Sequence, residues 1–397
     1  MVNSKRHTLT LLSVLAFIVL PVVSPQETAS PDMLWCILCM IPAFVAGGFK
    51  PYKSRGYVFP AIWLLLSAFI STFGPYGVFD QRMLKFALFV FFFIFITRFS
   101  YTGKDILYII NTYIILSFIV AVLIILSYIF GYPHVDSSYY LGRYSVGIIG
   151  LYKNPNYLAA FINIAFFFVT YQLFNKKNTF RKSIFLLVIS LTYLAAIYFT
   201  GTRAALLTTG VALLFIICST MTQRGALYFG TLCVTLVVLV IINVNTIETL
   251  LDHLLGHRDF TEDDSRQISW LYALSVVNEN PLTGAGMYSW GRIPGTALLL
   301  GHLHNIYLEI LLNQGIIGFC GFLVLYFTSL NKIKRKDYTF MFAFLFVMTF
   351  PLMFQNGYVE ANFWRFIIVT KIFVDYCADA KEGIAHLVRT NDFLTII

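Results

Sequence analysis

Stretches of apolar residues long enough to cross a lipid bilayer recur along almost the whole chain, and no other feature narrows the possible folds as much. A spanning helix needs roughly 17–25 mostly apolar residues. Runs of that kind fall near 8–24, 33–49, 57–73, 83–98, 105–130, 155–174, 183–200, 203–220, 225–243, 304–330, 338–354 and 358–377. In lipid the backbone must satisfy its own hydrogen bonds, so such runs predict helices. The expected fold is all-α: a polytopic integral membrane protein with about 12 transmembrane helices. The second run is interrupted by Pro42, and the break between 200 and 203 is tight. Composition agrees, with 12% charged and 58% hydrophobic residues against about a quarter charged in a soluble domain. Too few polar side chains remain to coat a soluble fold of this length. The 40 Phe and 24 Tyr suit lipid-facing surfaces and interfacial belts.

Charge placement predicts orientation. With the N-terminus inside, 19 of the 28 basic residues fall on the cytoplasmic side, including Lys176-Lys177, Lys332 to Lys336, and Lys371. That satisfies the positive-inside rule. The apolar run from Leu9 to Val23 after Lys5 and Arg6 reads as a retained first span, because Pro25 follows the one plausible cleavage point at Ser24. The net charge of +9 is spread over short loops, with no basic stripe of the kind nucleic acid requires. All six cysteines sit in or beside apolar segments, and the Cys36/Cys39 pair reads as ordinary packing in an apolar helix.

Nine basic residues resist the inside rule: Arg82, Lys85, Arg143, Lys153, Arg203, Arg258, Arg266, Arg292 and Arg365. Seven are arginines, whose planar, permanently charged fork suits phosphate oxygens. An arginine-rich outer face points to an anionic, phosphate-bearing ligand; Arg82 and Arg365 taken singly read as residues snorkelling to headgroups. The segment 243–303 is too long for a tight turn and holds seven of the 19 acidic residues. Its middle, Ser265 to Glu279, predicts a helix capped by Asp263, Asp264 or Ser265, with turns at Asn280-Pro281, Gly284 and Gly286. The chain therefore divides into 1–243 with nine spans, 244–303 as a loop or flap outside the lipid, and 304–397 with three spans and a tail.

Three outer segments carry candidate chemistry. In Thr200-Gly-Thr-Arg, Arg203 opens a helix, where guanidinium and free N–H donors together make an anion site. Arg266 falls in the first turn of the flap helix, where a cation opposes the helix dipole and a bound anion reverses that cost. In Gly301-His-Leu-His-Asn, His304 sits at the mouth of the tenth span, and an imidazole titrating near neutrality can take a hydroxyl proton. His302-x-His304 has no third ligand at matching spacing, so no metal is expected. Glu309, an acid inside a span, is a further candidate without an assigned role.

The pattern resembles the O-antigen ligase and polymerase superfamily of bacterial envelope glycosyltransferases. The ligase-branch motif of His-[Asn/Ser/Gln], nine residues, Gly, two residues and [Gly/Thr/Tyr] is matched by His304-Asn305, Gly315 and Gly318. Thr202-Arg203-Ala204, Arg266 and the segment Arg143…Gly150…Asn154-Pro155-Asn156 follow the family's order. The resemblance implies a glycan donor on undecaprenyl pyrophosphate, lipid A–core as acceptor, membrane lipid around the protein, and a large periplasmic loop between the ninth and tenth spans. It places the protein in the bacterial inner membrane as a multi-pass enzyme with its active site facing the periplasm. Arg203 and Arg266 would grip the pyrophosphate, and His304 would act as base, in an inverting displacement needing no metal or other cofactor. Arg143, Asn156, Trp270, Trp290, Arg292 and Asn305 are the expected substrate contacts. A polymerase joining lipid-linked repeat units is the alternative. A transporter or flippase would want more mid-membrane polar residues than Lys85, Glu309 and Arg365.

Overall fold

A computed structural model describes residues 2–23, 37–42, 45, 56–97, 99–133, 143–149, 154–174, 178–220, 261–296, 302–328, 333, 337–354, 361–379 and 383–390. The helices are α1 (Val2–Val23), α2 (Val58–Ser71), α3 (Gln81–Ile96), α4 (Gly103–Ile129), α5 (Pro155–Leu173), α6 (Phe180–Phe199), α7 (Arg203–Thr220), α8 (Thr261–Glu279), α9 (Ile306–Phe327), α10 (Tyr338–Thr349), α11 (Ala361–Asp379) and α12 (Ile384–Thr390). Short 3-10 turns occupy Gly147–Ile149, Trp290–Arg292 and Phe350–Phe354. Among the described residues no strand forms, and one isolated antiparallel bridge pairs Pro133 with Tyr144.

Four helices are long and apolar enough to cross a membrane: α4, α5, α6 and α9. Others are apolar but short. The 14 residues of α2 reach only about 21 Å at 1.5 Å per residue, less than a hydrocarbon core of about 30 Å. The ninth predicted span and most of the second lie outside the described residues.

Local signals explain where helices start. Thr102 and Asp105 form a reciprocal capping box at α4, with Thr102 N donating to Asp105 Oδ2 at 2.6 Å. Asn154 caps α5, and Pro155 fills the first helical position, where its missing N–H costs nothing. Burial then sorts the bundle. Helix α5 is buried on almost every face, and Phe167 and Phe168 stack among Phe340, Phe344 and Phe373. Helix α6 exposes Ile184, Phe185, Leu187, Val188 and Leu191, a surface suited to lipid tails.

Three expectations change. Helix α8 begins at Thr261, so Asp263, Asp264 and Ser265 lie inside it rather than at its cap. Acidic residues are welcome in a first turn as well as before it, which is why they misplace the boundary. The spans are also less clean than predicted. Lys371 is not a loop charge but a buried side chain of α11, its Nζ 3.5 Å from the Tyr57 ring centroid, while the Tyr57 hydroxyl donates to Asp375. Helix α9 is broken: Gly315 has φ 62° and ψ −166°. The amides of Ile316 and Ile317 turn instead to the carbonyls of Pro281 and Leu282, at 2.8 and 3.2 Å. Irregular backbone inside a span persists only where protein meets its polar groups, as the Pro281–Gly286 loop does here.

Candidate functional site

The site is assembled from two polar turns, each leading into a helix. The first joins α6 to α7. Gly201 takes the left-handed conformation the reversal needs, with φ 61°, and α7 begins at Arg203 as predicted. Buried Arg143 locks this turn. Its Nε donates to Thr200 O at 2.8 Å, and one terminal nitrogen donates to Asn156 Oδ1 at 2.6 Å and Thr202 Oγ1 at 3.0 Å. A Cβ at position 201 would lie 3.0 Å from Arg143 Cγ. Arg143 and Asn156, expected as substrate contacts, are thus committed to each other and to the turn. What they hold out is Arg203, exposed at the start of α7 among unspent helix N–H groups.

The second turn precedes α9. Asn305, expected at the substrate, caps the helix instead, its Oδ1 accepting from Leu308 N at 3.1 Å. Glu309 falls in the first turn, where a carboxylate complements the helix dipole. Before the cap stands His304, with φ 50°; it and Tyr288 are the non-glycine residues at positive φ among those described. Such a conformation persists only when its surroundings impose it, and these residues cluster at functional sites. The constraint on His304 comes from α8: Trp270 Nε1 donates to Leu303 O at 2.8 Å. Trp270 is therefore an anchor for the turn. Arg266, one helical turn earlier on the same face, is carried towards His304 by that anchor. It sits in the second turn of α8, not the first, because the helix starts earlier.

Electrostatics confirms the approach. Burial pushes the His304 imidazole down, and the Arg266 charge and His302 add to the effect, to a pKa of about 4. Near-neutral titration was expected; instead the ring stays neutral throughout the physiological range and keeps a lone pair free to accept a proton. His302 lies alongside, ring centroids 6.1 Å apart. Among the described residues no group of three His, Cys, Asp or Glu comes together near them.

A small separate core fixes these parts to the bundle. Ala273, Val276, Val277, Ala285, Trp290, Ile293, Leu303, Leu308 and Leu312 pack together, with Tyr76, Trp270 and Tyr272 at its edge. Trp290 is a member of this core and not a surface contact for sugar. Arg292 reaches back to Tyr76 O at 3.4 Å and Asp80 Oδ2 at 3.9 Å. The motif glycine Gly315 belongs here too: a Cβ on Gly284 would meet Gly315 N at 2.6 Å. Two backbones cross at contact distance, and Asn313 Oδ1 seals the crossing by accepting from Ser289 N and Oγ at 3.2 and 3.1 Å. The spacing of Gly315 and Gly318 signalled a family; nothing local in it disclosed a broken helix.

Residues 185–323 match the O-antigen ligase family model. The matched region runs from α6 through α9 and includes Arg203, Arg266 and His304; Arg143, Asn156 and Asp80 lie outside it. The match supports the O-antigen ligase and polymerase superfamily, whose members are glycosyltransferase-like enzymes of O-antigen pathways. A search of curated proteins finds no match to the chain.

Proposed function

We propose that this protein is an O-antigen ligase, transferring a glycan from undecaprenyl pyrophosphate to a sugar hydroxyl of lipid A–core at the periplasmic face of the inner membrane. The observation that carries the reading is the neutral, backbone-constrained His304 beside the Arg266 guanidinium, within the region that matches the O-antigen ligase family. His304 takes the proton from the acceptor hydroxyl. The freed oxygen attacks the anomeric carbon from the face opposite the leaving group, the bond to the pyrophosphate oxygen breaks, and the carbon inverts. Arg203 and Arg266 receive the charge that builds on the diphosphate, an interaction that strengthens as the bond breaks. Arg203 comes to the same place because α7 and α9 both pack against the Phe350–Phe354 turn, and Tyr307 Oη ties α9 to Thr349 O at 2.9 Å.

The two groups are coupled. Without donor, Arg266 depresses the imidazole and leaves a weak base. A bound diphosphate cancels that field, so His304 gains basicity once the donor is loaded. Ligase is preferred to polymerase on His304-Asn305 followed by Gly315 and Gly318. Incubating purified protein with a lipid-linked glycan and either lipid A–core or further lipid-linked repeat units tests the choice. Transfer to lipid A–core is expected; chain growth alone would assign the polymerase reaction.

A further inference from the structure

Arg82, Asp80 and Arg292 form a second cationic cluster that the proposed chemistry does not use. Asp80 caps α3, its Oδ1 accepting from Arg82 N at 2.8 Å. Its other oxygen, Oδ2, lies 3.6 Å from Arg82 Nε and 3.9 Å from Arg292 Nη2. One carboxylate thus stands between two guanidiniums, both beyond hydrogen-bonding distance, and the cluster keeps a net positive charge. Arg292 spends one nitrogen on the long bond to Tyr76 O, and Arg82 lies 4.7 Å above the Tyr288 ring. Tyr288 is the other residue at positive φ, 57°. Beside the cluster Phe69, Phe73 and Phe79 are exposed and in ring contact, with centroids 5.5 and 6.4 Å apart. Unspent arginine donors over an exposed aromatic platform match a phosphate carried on a lipid better than a soluble anion.

We infer that Arg82 and Arg292, spaced by Asp80, bind a phosphate of the glycolipid acceptor. The inference rests on the ligase reading above and names the acceptor's side of that site. Two phosphate-bearing lipids must reach one centre, and like charges cannot share one cation pair. Arg203 and Arg266 are taken by the donor. The second cluster borders the small core that also holds Leu303 and Trp270, so a lipid anchored there is next to His304 without competing for Arg266.

The test measures binding and turnover separately, in phosphatidylcholine nanodiscs. Wild-type protein is expected to bind lipid A–core about tenfold more tightly than the same lipid after phosphatase treatment, and the double variant R82Q/R292Q to lose that preference. In turnover the double variant should raise the acceptor KM about tenfold, with kcat and the donor KM within about twofold. A preference retained by the double variant, or an effect on the donor KM, overturns the proposal. So does a difference that follows the phosphatidylglycerol content of the nanodisc and ignores acceptor phosphates, which assigns the cluster to bulk headgroups. Binding is repeated on H304A protein, which needs no catalysis. Phosphate-dependent binding without any transfer by the wild type would sink the ligase reading and leave this site standing. If R82Q/R292Q fails to fold, the single R82Q variant and the phosphatase comparison on wild-type protein decide.

Discussion

The turn before α7 and the turn before α9 face the same backbone problem and place the strain differently. Before α7 the left-handed residue is Gly201 (φ 61°), where the conformation is nearly free, and the functional side chain follows two positions later. Before α9 the left-handed residue is His304 itself (φ 50°), held by Trp270 through Leu303 O. One turn needs a buried arginine to stay shaped; the other needs a helix from the flap. The difference teaches that Arg203 is presented by a rigid scaffold, whereas His304 is functional only while α8 is docked.

The largest expected effect is on transfer. H304A should lower it by about 10²–10⁴-fold, the usual worth of a general base, and R266A by about 10²–10³-fold, measured on purified protein with lipid A–core. W270F, which removes the anchoring N–H and touches no substrate, should reduce kcat more than it changes either KM; an unchanged kcat would break the argument that docking aims His304. Next is stability. R143A should cost about 2–4 kcal/mol by orphaning Thr200 O, Asn156 and Thr202, read by thermal unfolding in detergent. A normal melting temperature with lost transfer would return Arg143 to the substrate. Smaller still, G201A should cost about 1–2 kcal/mol, while H304G should cost nothing or gain about 0.5 kcal/mol despite its inactivity. Equal losses would erase the contrast between the turns.

The smallest effect is pH dependence. The folded His304 pKa of about 4 lies below the usual 6.5, so between these values the unfolded chain binds the extra proton. Folding stability supplied by the neutral ring is complete above about pH 6.5 and is lost as pH falls towards 4. Wild-type protein should therefore lose melting temperature faster than H304Q across that window.

Local signals were legible. Gly201 and the start of α7 at Arg203 were readable because helix ends and glycine turns are written in adjacent residues. The helical character of α8 was readable for the same reason, although its start was not, since Asp263 and Asp264 suit a cap and a first turn equally. Roles that depend on distant partners were misread. Arg143 and Asn156 looked like ligand contacts because their partners at 200 and 202 are far along the chain. Trp290 looked like a sugar platform but fills a core built from three segments. Arg82 was dismissed singly because Arg292, 210 positions later, is what gives it meaning.

The sequence by itself determined an all-helical membrane protein and a set of outward polar residues, because apolar run length and charge placement answer to the solvent around each segment. Only the tertiary structure decided which of those residues hold the scaffold and which are left for chemistry. Hydrogen-bond capacity is finite, and whether an arginine has spent it depends on which other segment folds against it.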